Sequence, residues 1–310
     1  MIEHPLASVD AWLRFLEASP IPILAHTKEA LLALAANEDD VTVNDLAHVA
    51  RHDALLALHL LRYLQQHRSK HQLTDVTTLE RVILMVGVTP LLNQFVELET
   101  IESMLEGHPH GLTAVRRVMR RAYHAARCAD AWASYRHDID GAEVMTAALL
   151  RDLAEILVGC FAPKLVLRMR AMQQADKRLR SQVVQKAVLG FPLIELQLAL
   201  VTQWKLPPIL KMLMDEGHAE HPRVRTVATA VAFARHAANG MDDAAIPDDY
   251  EAVAELTNLP LDDVVRITAT VTQKVDDVSY WFGDMPSSTT APSGEAPPAP
   301  TPEESDPNGA

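Results

Sequence analysis

The sequence predicts an all-α protein, a multi-helix bundle in which an N-terminal helical lobe packs on a second, larger helical lobe. Three observations carry that expectation. Glycine supplies only 11 of 310 residues, about half its usual share of roughly 7%. Aromatic residues make up 5% while Ala, Leu and Val dominate, which disfavours sandwiches, barrels and Rossmann sheets with their glycine turns and β-branched or aromatic strands. Apolar residues recur at helical spacing, and no period-2 alternation persists beyond about five residues.

The elements follow from local signals. Ser8 opens a short helix with Trp12, Leu13 and Leu16 on one face, and Pro20 and Pro22 end it. Thr27 is expected to cap a helix carrying Ala30, Leu31, Leu34 and Ala35. Thr42 followed by Asp45 has the form of an N-terminal cap. Residues 53–66 place Leu55, Leu58 and Leu61 at helical spacing, and Thr78 starts a helix that Gly87 ends. Thr89-Pro90 reads as a further start. A basic helix is predicted over 113–135, and Asp140-Gly141 opens another that continues to about 158. Others are expected from Pro163, over 181–190, 192–204, 207–216 and 222–239, and from Pro260 to about Phe282. Gly107, Pro109 and Gly111 form the strongest breaker cluster within the body. The expected division is therefore an N-terminal lobe over 1–106, a joint at 107–111, a second lobe over 112–283 and a tail over 284–310, with Leu91, Leu92 and Phe95 as candidates for the interface between lobes.

The tail carries seven prolines, five acids and no Lys or Arg, a composition that predicts disorder. Overall, 28 basic residues against 41 acidic give a net charge of −13, which disfavours a broad nucleic-acid surface. The two cysteines, Cys128 and Cys160, have neither metal-type spacing nor a disulfide framework. The N-terminus lacks a signal-peptide pattern and no window of about 18 residues is free of charge. The expected location is the cytoplasm, with no membrane partner.

Common nucleotide, zincin and hydrolase motifs are absent from the sequence. The histidine pairs His48/His52, His67/His71 and His218/His221 have ligand-like or near-ligand spacing, but a metal site needs at least three converging ligands; solvated or capping roles are expected. Arg116, Arg117, Arg120, Arg121 and Arg127 form a basic stripe, read as a solvated face balanced by Glu97, Glu99, Glu102 and Glu106, with partner docking as the functional alternative.

The segment TAALLRDLAEILVG, residues 146–159, resembles the helix A-x-L-L-H-D-I-G-x-L-V of the HDOD family, the HD-related output domain of bacterial signalling proteins. NEDDVTVNDLAHVARHDALLALHLLRYL and TTLERVILMVGVTPLLNQF are similar to the family's two earlier blocks. Gly190-Phe191 and Trp204-Lys205-Leu206-Pro207 match a later one. The order and spacing of these blocks extend the resemblance over about residues 20–240.

The resemblance implies a degenerate HD metal motif. An early His falls on His124 and the His-Asp pair on Arg151 and Asp152, so the pair's His is lost. A later His falls on Leu193, another pair falls on Gly217 and His218, and the last Asp falls on Arg235. A dication needs converging deprotonated ligands, and this set supplies two guanidinium groups instead. No catalytic residue, metal or cofactor is therefore expected. The former metal pocket of His124, Arg151, Asp152, His218 and Arg235 is expected to hold a structural ion pair, with Arg235 standing in for the ion beside Asp152. The implied function is a non-catalytic signalling or regulatory interaction module acting on other signalling proteins. The alternatives are a metal-dependent phosphohydrolase of nucleotides or cyclic dinucleotides, or a sensor binding a cyclic dinucleotide or other anionic ligand in that pocket.

Overall fold

The computed structural model describes residues 1–67, 76–176 and 178–283. The first part contains α1 (Val9–Ala18), α2 (Ala25–Ala35), α3 (Val43–Arg51), α4 (Ala54–Gln66), α5 (Leu79–Val86), α6 (Val88–Phe95) and the single turn α7 (Ile101–Met104). The long α8 (Pro109–Ala133) follows, then α9 (Gly141–Leu150), α10 (Leu153–Phe161), α11 (Pro163–Ala175), α12 (Ser181–Leu189) and α13 (Leu193–Gln203). The chain continues through α14 (Pro208–Met214), α15 (Pro222–Ala237), α16 (Ile246–Thr257) and α17 (Leu261–Asp277), with short 3-10 turns at Glu38–Asp40, Glu216–His218 and Ser279–Phe282. The fold is all-α, as expected; the one β-bridge among the described residues joins Ile23 to Thr100.

Several caps act as their residue types predict. The Ser8 hydroxyl accepts from the Ala11 amide, and Thr42 and Asp45 complete a reciprocal capping box on α3. Asp140 accepts from the amides of Ala142 and Glu143. Thr27 departs from expectation: α2 starts before it, and its buried hydroxyl accepts a hydrogen bond from the Trp281 indole at 3.1 Å. The final helix ends at Asp277 rather than Phe282, because the chain tightens into the turn that seats Trp281 and Phe282 in the core. Helix α16 has no counterpart among the sequence expectations; its first turn is polar, with Asp248 and Asp249.

Helix α8 is the axle of the molecule, packing against α9, α10, α11, α15 and α17. It starts at Pro109, inside the segment expected to be a joint. Gly111 is consequently helical and serves close packing instead of a break: a Cβ there would lie 2.5 Å from Cβ of Pro163. Gly159 has the same part in α10, where a Cβ would meet Cγ2 of Val115 at 2.7 Å. These two absent side chains let α10 and α11 approach α8. The first helices join the later ones chiefly through α4 against α8 and α9, and α1 against α13. Leu91, Leu92 and Phe95 are buried, but their helix α6 packs mainly on α2 and α5. The 284–310 tail and His71 lie outside the described residues.

Candidate functional site

The segment expected to run as one helix to about residue 158 is broken at Arg151 and Asp152, where the family motif places its His-Asp pair. Asp152 has φ −97° and ψ 18°, in the sparsely populated bridge region that separates the two helices. A break in a core costs hydrogen bonds unless something satisfies the freed backbone groups. Gln197 of α13 does so from both sides. Its Oε1 accepts from the Ala154 amide at 2.8 Å, and its Nε2 donates to the Leu150 carbonyl at 2.7 Å. Gln197 is 1% exposed, so water cannot replace it readily.

The break aims the Asp152 carboxylate at α8, where Arg121 meets it. Arg121 donates to one Asp152 oxygen from Nε at 2.9 Å and from Nη2 at 2.6 Å, and Nη2 also donates to Glu155 at 2.8 Å. The side chains of Arg121 and Asp152 are 14% and 10% exposed. Burial opposes the charge on Asp152, but Arg121, then Arg235, with Arg151 further down, outweigh it and hold the carboxyl below its usual range. Burial likewise opposes the charge on Arg121, and its two carboxylates more than restore it, raising its pKa.

The expected partner was Arg235, and that expectation is overturned. Arg235 is exposed on the last turn of α15 and reaches Asp152 only as a more distant positive charge. In the sequence Arg121 belongs to the stripe expected to be solvated. The stripe is instead divided among partners: Arg116 pairs with Glu102 at 3.0 Å, Arg120 with Asp276 at 2.6 Å, and Arg127 stands 4.0 Å from Asp130. A signal for Arg121 was available in its spacing, since Arg117 and Arg121, four apart, share a face distinct from that of Arg116 and Arg120.

The other motif positions are engaged elsewhere. His124 is 7% exposed, 3.1 Å through Nε2 from the Thr272 hydroxyl and edge-on to Phe233. Burial, with Arg120 adding to it, lowers its pKa to about 4. His218 is exposed, 4.0 Å from Glu220. Leu193 is buried and its amide donates to Gln185. Among the described residues no group of three or more His, Cys, Asp or Glu could hold a metal ion. The donor set therefore does not fit the metal of an HD-type site: the remaining carboxylate is committed to a guanidinium, and the surrounding charge is positive.

One member of each histidine pair has a local partner among the described residues. His52 is stacked between Tyr123 and Trp281, at centroid distances of 4.6 and 4.3 Å, and its Nδ1 donates to the His48 carbonyl. His67 stacks on Tyr63, and the His221 ring accepts from the Arg223 amide at the start of α15.

The family model for the HDOD domain matches residues 21–220. The chain belongs to the HDOD family. Two solved structures share this HDOD fold. The MmoQ response regulator of Methylococcus capsulatus is 17% identical, with a TM-score of 0.60 over 81% of this chain and 98% of its own. A virulence factor of Campylobacter jejuni is 17% identical, with a TM-score of 0.59 over 86% of this chain and 100% of its own. No curated protein matches the sequence. The HDOD match stops before α15, so α15, α16 and α17 lie beyond it. No single helix among the described residues is long and apolar enough to cross a membrane.

Proposed function

We propose that this HDOD protein is a non-catalytic regulatory module of bacterial signal transduction that works by binding other signalling proteins in the cytoplasm. The observation that carries the reading is the Arg121 guanidinium seated on Asp152 and Glu155. An HD-type hydrolase uses its carboxylate to hold a dication that activates water; here that carboxylate is neutralised by a permanent side-chain cation that has no open coordination position to offer. The positive surroundings repel a dication further. The free, buried thiols of Cys128 and Cys160 accord with a reducing compartment.

The test is elemental analysis of the chain purified from manganese-supplemented medium, paired with phosphodiester hydrolysis in the presence of the same ion. The expected result is substoichiometric metal and no hydrolysis above that of free manganese. About one or two tightly held ions per chain together with turnover would overturn the reading.

A further inference from the structure

A pocket of about 360 Å³ opens between α3, α8 and the end of α17, lined by His48, Arg51, His52, Tyr123, Arg127, Lys274, Asp277 and Val278. It is separate from the Arg121–Asp152 cluster, sharing no residue with it. Three of the eight lining side chains are permanent cations against one carboxylate. Their commitments are incomplete. Lys274 is exposed and makes no ion pair or hydrogen bond among the described residues. Among the described residues Arg127 has only Asp130, at 4.0 Å. Arg51 is held by Glu80, yet its buried Nε has no hydrogen-bond partner among the described residues. The lining also includes a pair of rings, with His52 stacked on Tyr123 at 4.6 Å. The rim charge reaches His52: burial chiefly disfavours a proton there, the hydrogen bond to the His48 carbonyl favours one, and the charges of Arg127 and Arg51 add to the disfavour.

We infer that this pocket binds a small organic phosphate monoester, with Lys274 and Arg127 gripping the phosphoryl oxygens and the His52–Tyr123 ring pair backing the organic part. Charge selects the phosphate. A monoester carries about −1.5 to −2 at neutral pH and offers three acceptor oxygens, which suits a rim of three cations and one carboxylate better than a singly charged carboxylate does. Size selects an organic ester, because the volume falls in the range of roughly 300–1,000 Å³ typical of small-molecule sites and exceeds what bare phosphate fills. Lys274, Asp277 and Val278 come from beyond the HDOD match, so the C-terminal helix turns an open face of the domain into a pocket. An occupant would bridge α3 to α17. The inference is independent of whether the Arg121–Asp152 cluster has any catalytic past.

Isothermal titration of the full chain with phenyl phosphate, inorganic phosphate and benzoate tests this. Phenyl phosphate is expected to bind saturably, and at least about tenfold more tightly than either of the others. Lys274→Gln should weaken it by about tenfold or more while leaving the thermal melt unchanged. Arg178→Gln, a charge removal at a side chain 92% exposed and outside the pocket, should leave affinity as it was. Absence of saturable phenyl phosphate binding, equal binding of inorganic phosphate or benzoate, or an unchanged affinity in Lys274→Gln would each overturn the proposal.

Discussion

Arg121 of α8 and Asp152 at the α9–α10 break are joined by two hydrogen bonds to a single carboxylate oxygen, at 2.9 and 2.6 Å. The remaining reach of the guanidinium goes to Glu155. One cation thus serves two carboxylates, and the shortfall is made up from further away: Arg235 and Arg151 act on Asp152, and Arg170 is drawn to Glu155. Arginine surrounds carboxylate here, the reverse of carboxylates and imidazoles converging on an ion.

Removing the central cation should be costly. Arg121→Met is expected to destabilise by about 3–5 kcal/mol, because it leaves largely buried carboxylates without their partner. Combining it with Asp152→Asn should recover part of that loss. Arg235→Ala is expected to stay within about 0.5 kcal/mol, as for other exposed substitutions. Urea denaturation of the three variants decides the assignment; an Arg235→Ala effect as large as that of Arg121→Met would reverse it.

The fold was legible because its signals are local. Thr42 with Asp45, Asp140 before α9, and the spacing of Leu55, Leu58 and Leu61 each act within one or two turns. The break at Asp152 was not legible, since TAALLRDLAEILVG contains no proline and only a terminal glycine; the side chain that satisfies its freed backbone groups, Gln197, is 45 residues away. The partner of Asp152 failed for the same reason. The resemblance draws attention to Asp152, but which arginine meets it depends on how α8 is rotated, and packing against the surrounding helices sets that rotation. Gly111 looked like a breaker because a glycine that permits a turn and one that permits contact look alike in sequence.

The Gln197 bridge should behave as a structural clamp. Gln197→Leu keeps the volume roughly but strands the Leu150 carbonyl and the Ala154 amide in a dry core. The expected loss is about 2–4 kcal/mol, one desolvation penalty of roughly 1–3 kcal/mol for each group with partial relaxation. Gln197→Glu should also destabilise, since it retains the acceptor but loses the amide donor. Equilibrium denaturation measures both, and a neutral Gln197→Leu would show that the break is satisfied in another way.

The α8–α10 approach predicts a compensating pair. Gly159→Ala places a methyl 2.7 Å from Cγ2 of Val115, and overpacking of this kind costs about 1–3 kcal/mol. Alanine also favours the helix by up to about 1 kcal/mol, so the net loss should be modest in the single variant. Val115→Ala opens the space, and the double variant should be more stable than the sum of the two single changes predicts. Simple additivity in a thermal-melt cycle would mean that the two helices do not touch there.

Acid should loosen the fold well before carboxylates with ordinary or lowered pKa values, Asp152 among them, protonate. His52, His59 and His124 have pKa values lowered to about 4, in each case first by burial. Between that value and the unfolded pKa of about 6.5, the unfolded chain binds more protons at these rings than the folded one does, so stability rises with pH across the window. Going from pH 7 to pH 5 should cost about 2 kcal/mol for each ring. Asp152 adds nothing in this interval: its folded pKa is depressed, so its contribution is complete above the unfolded value of about 3.9 and fades only below it. Buried Asp53 has the opposite sign. Its pKa is raised, mainly by burial, so its protonation favours the folded state as pH falls and offsets part of the loss. The difference between variants isolates the rings. His124→Asn should remove about 2 kcal/mol of the acid loss even if it lowers stability at pH 7, and urea midpoints at pH 7 and pH 5 for the two proteins read that difference. An acid loss as large in His124→Asn as in the parent would show that His124 is already protonated in the folded core.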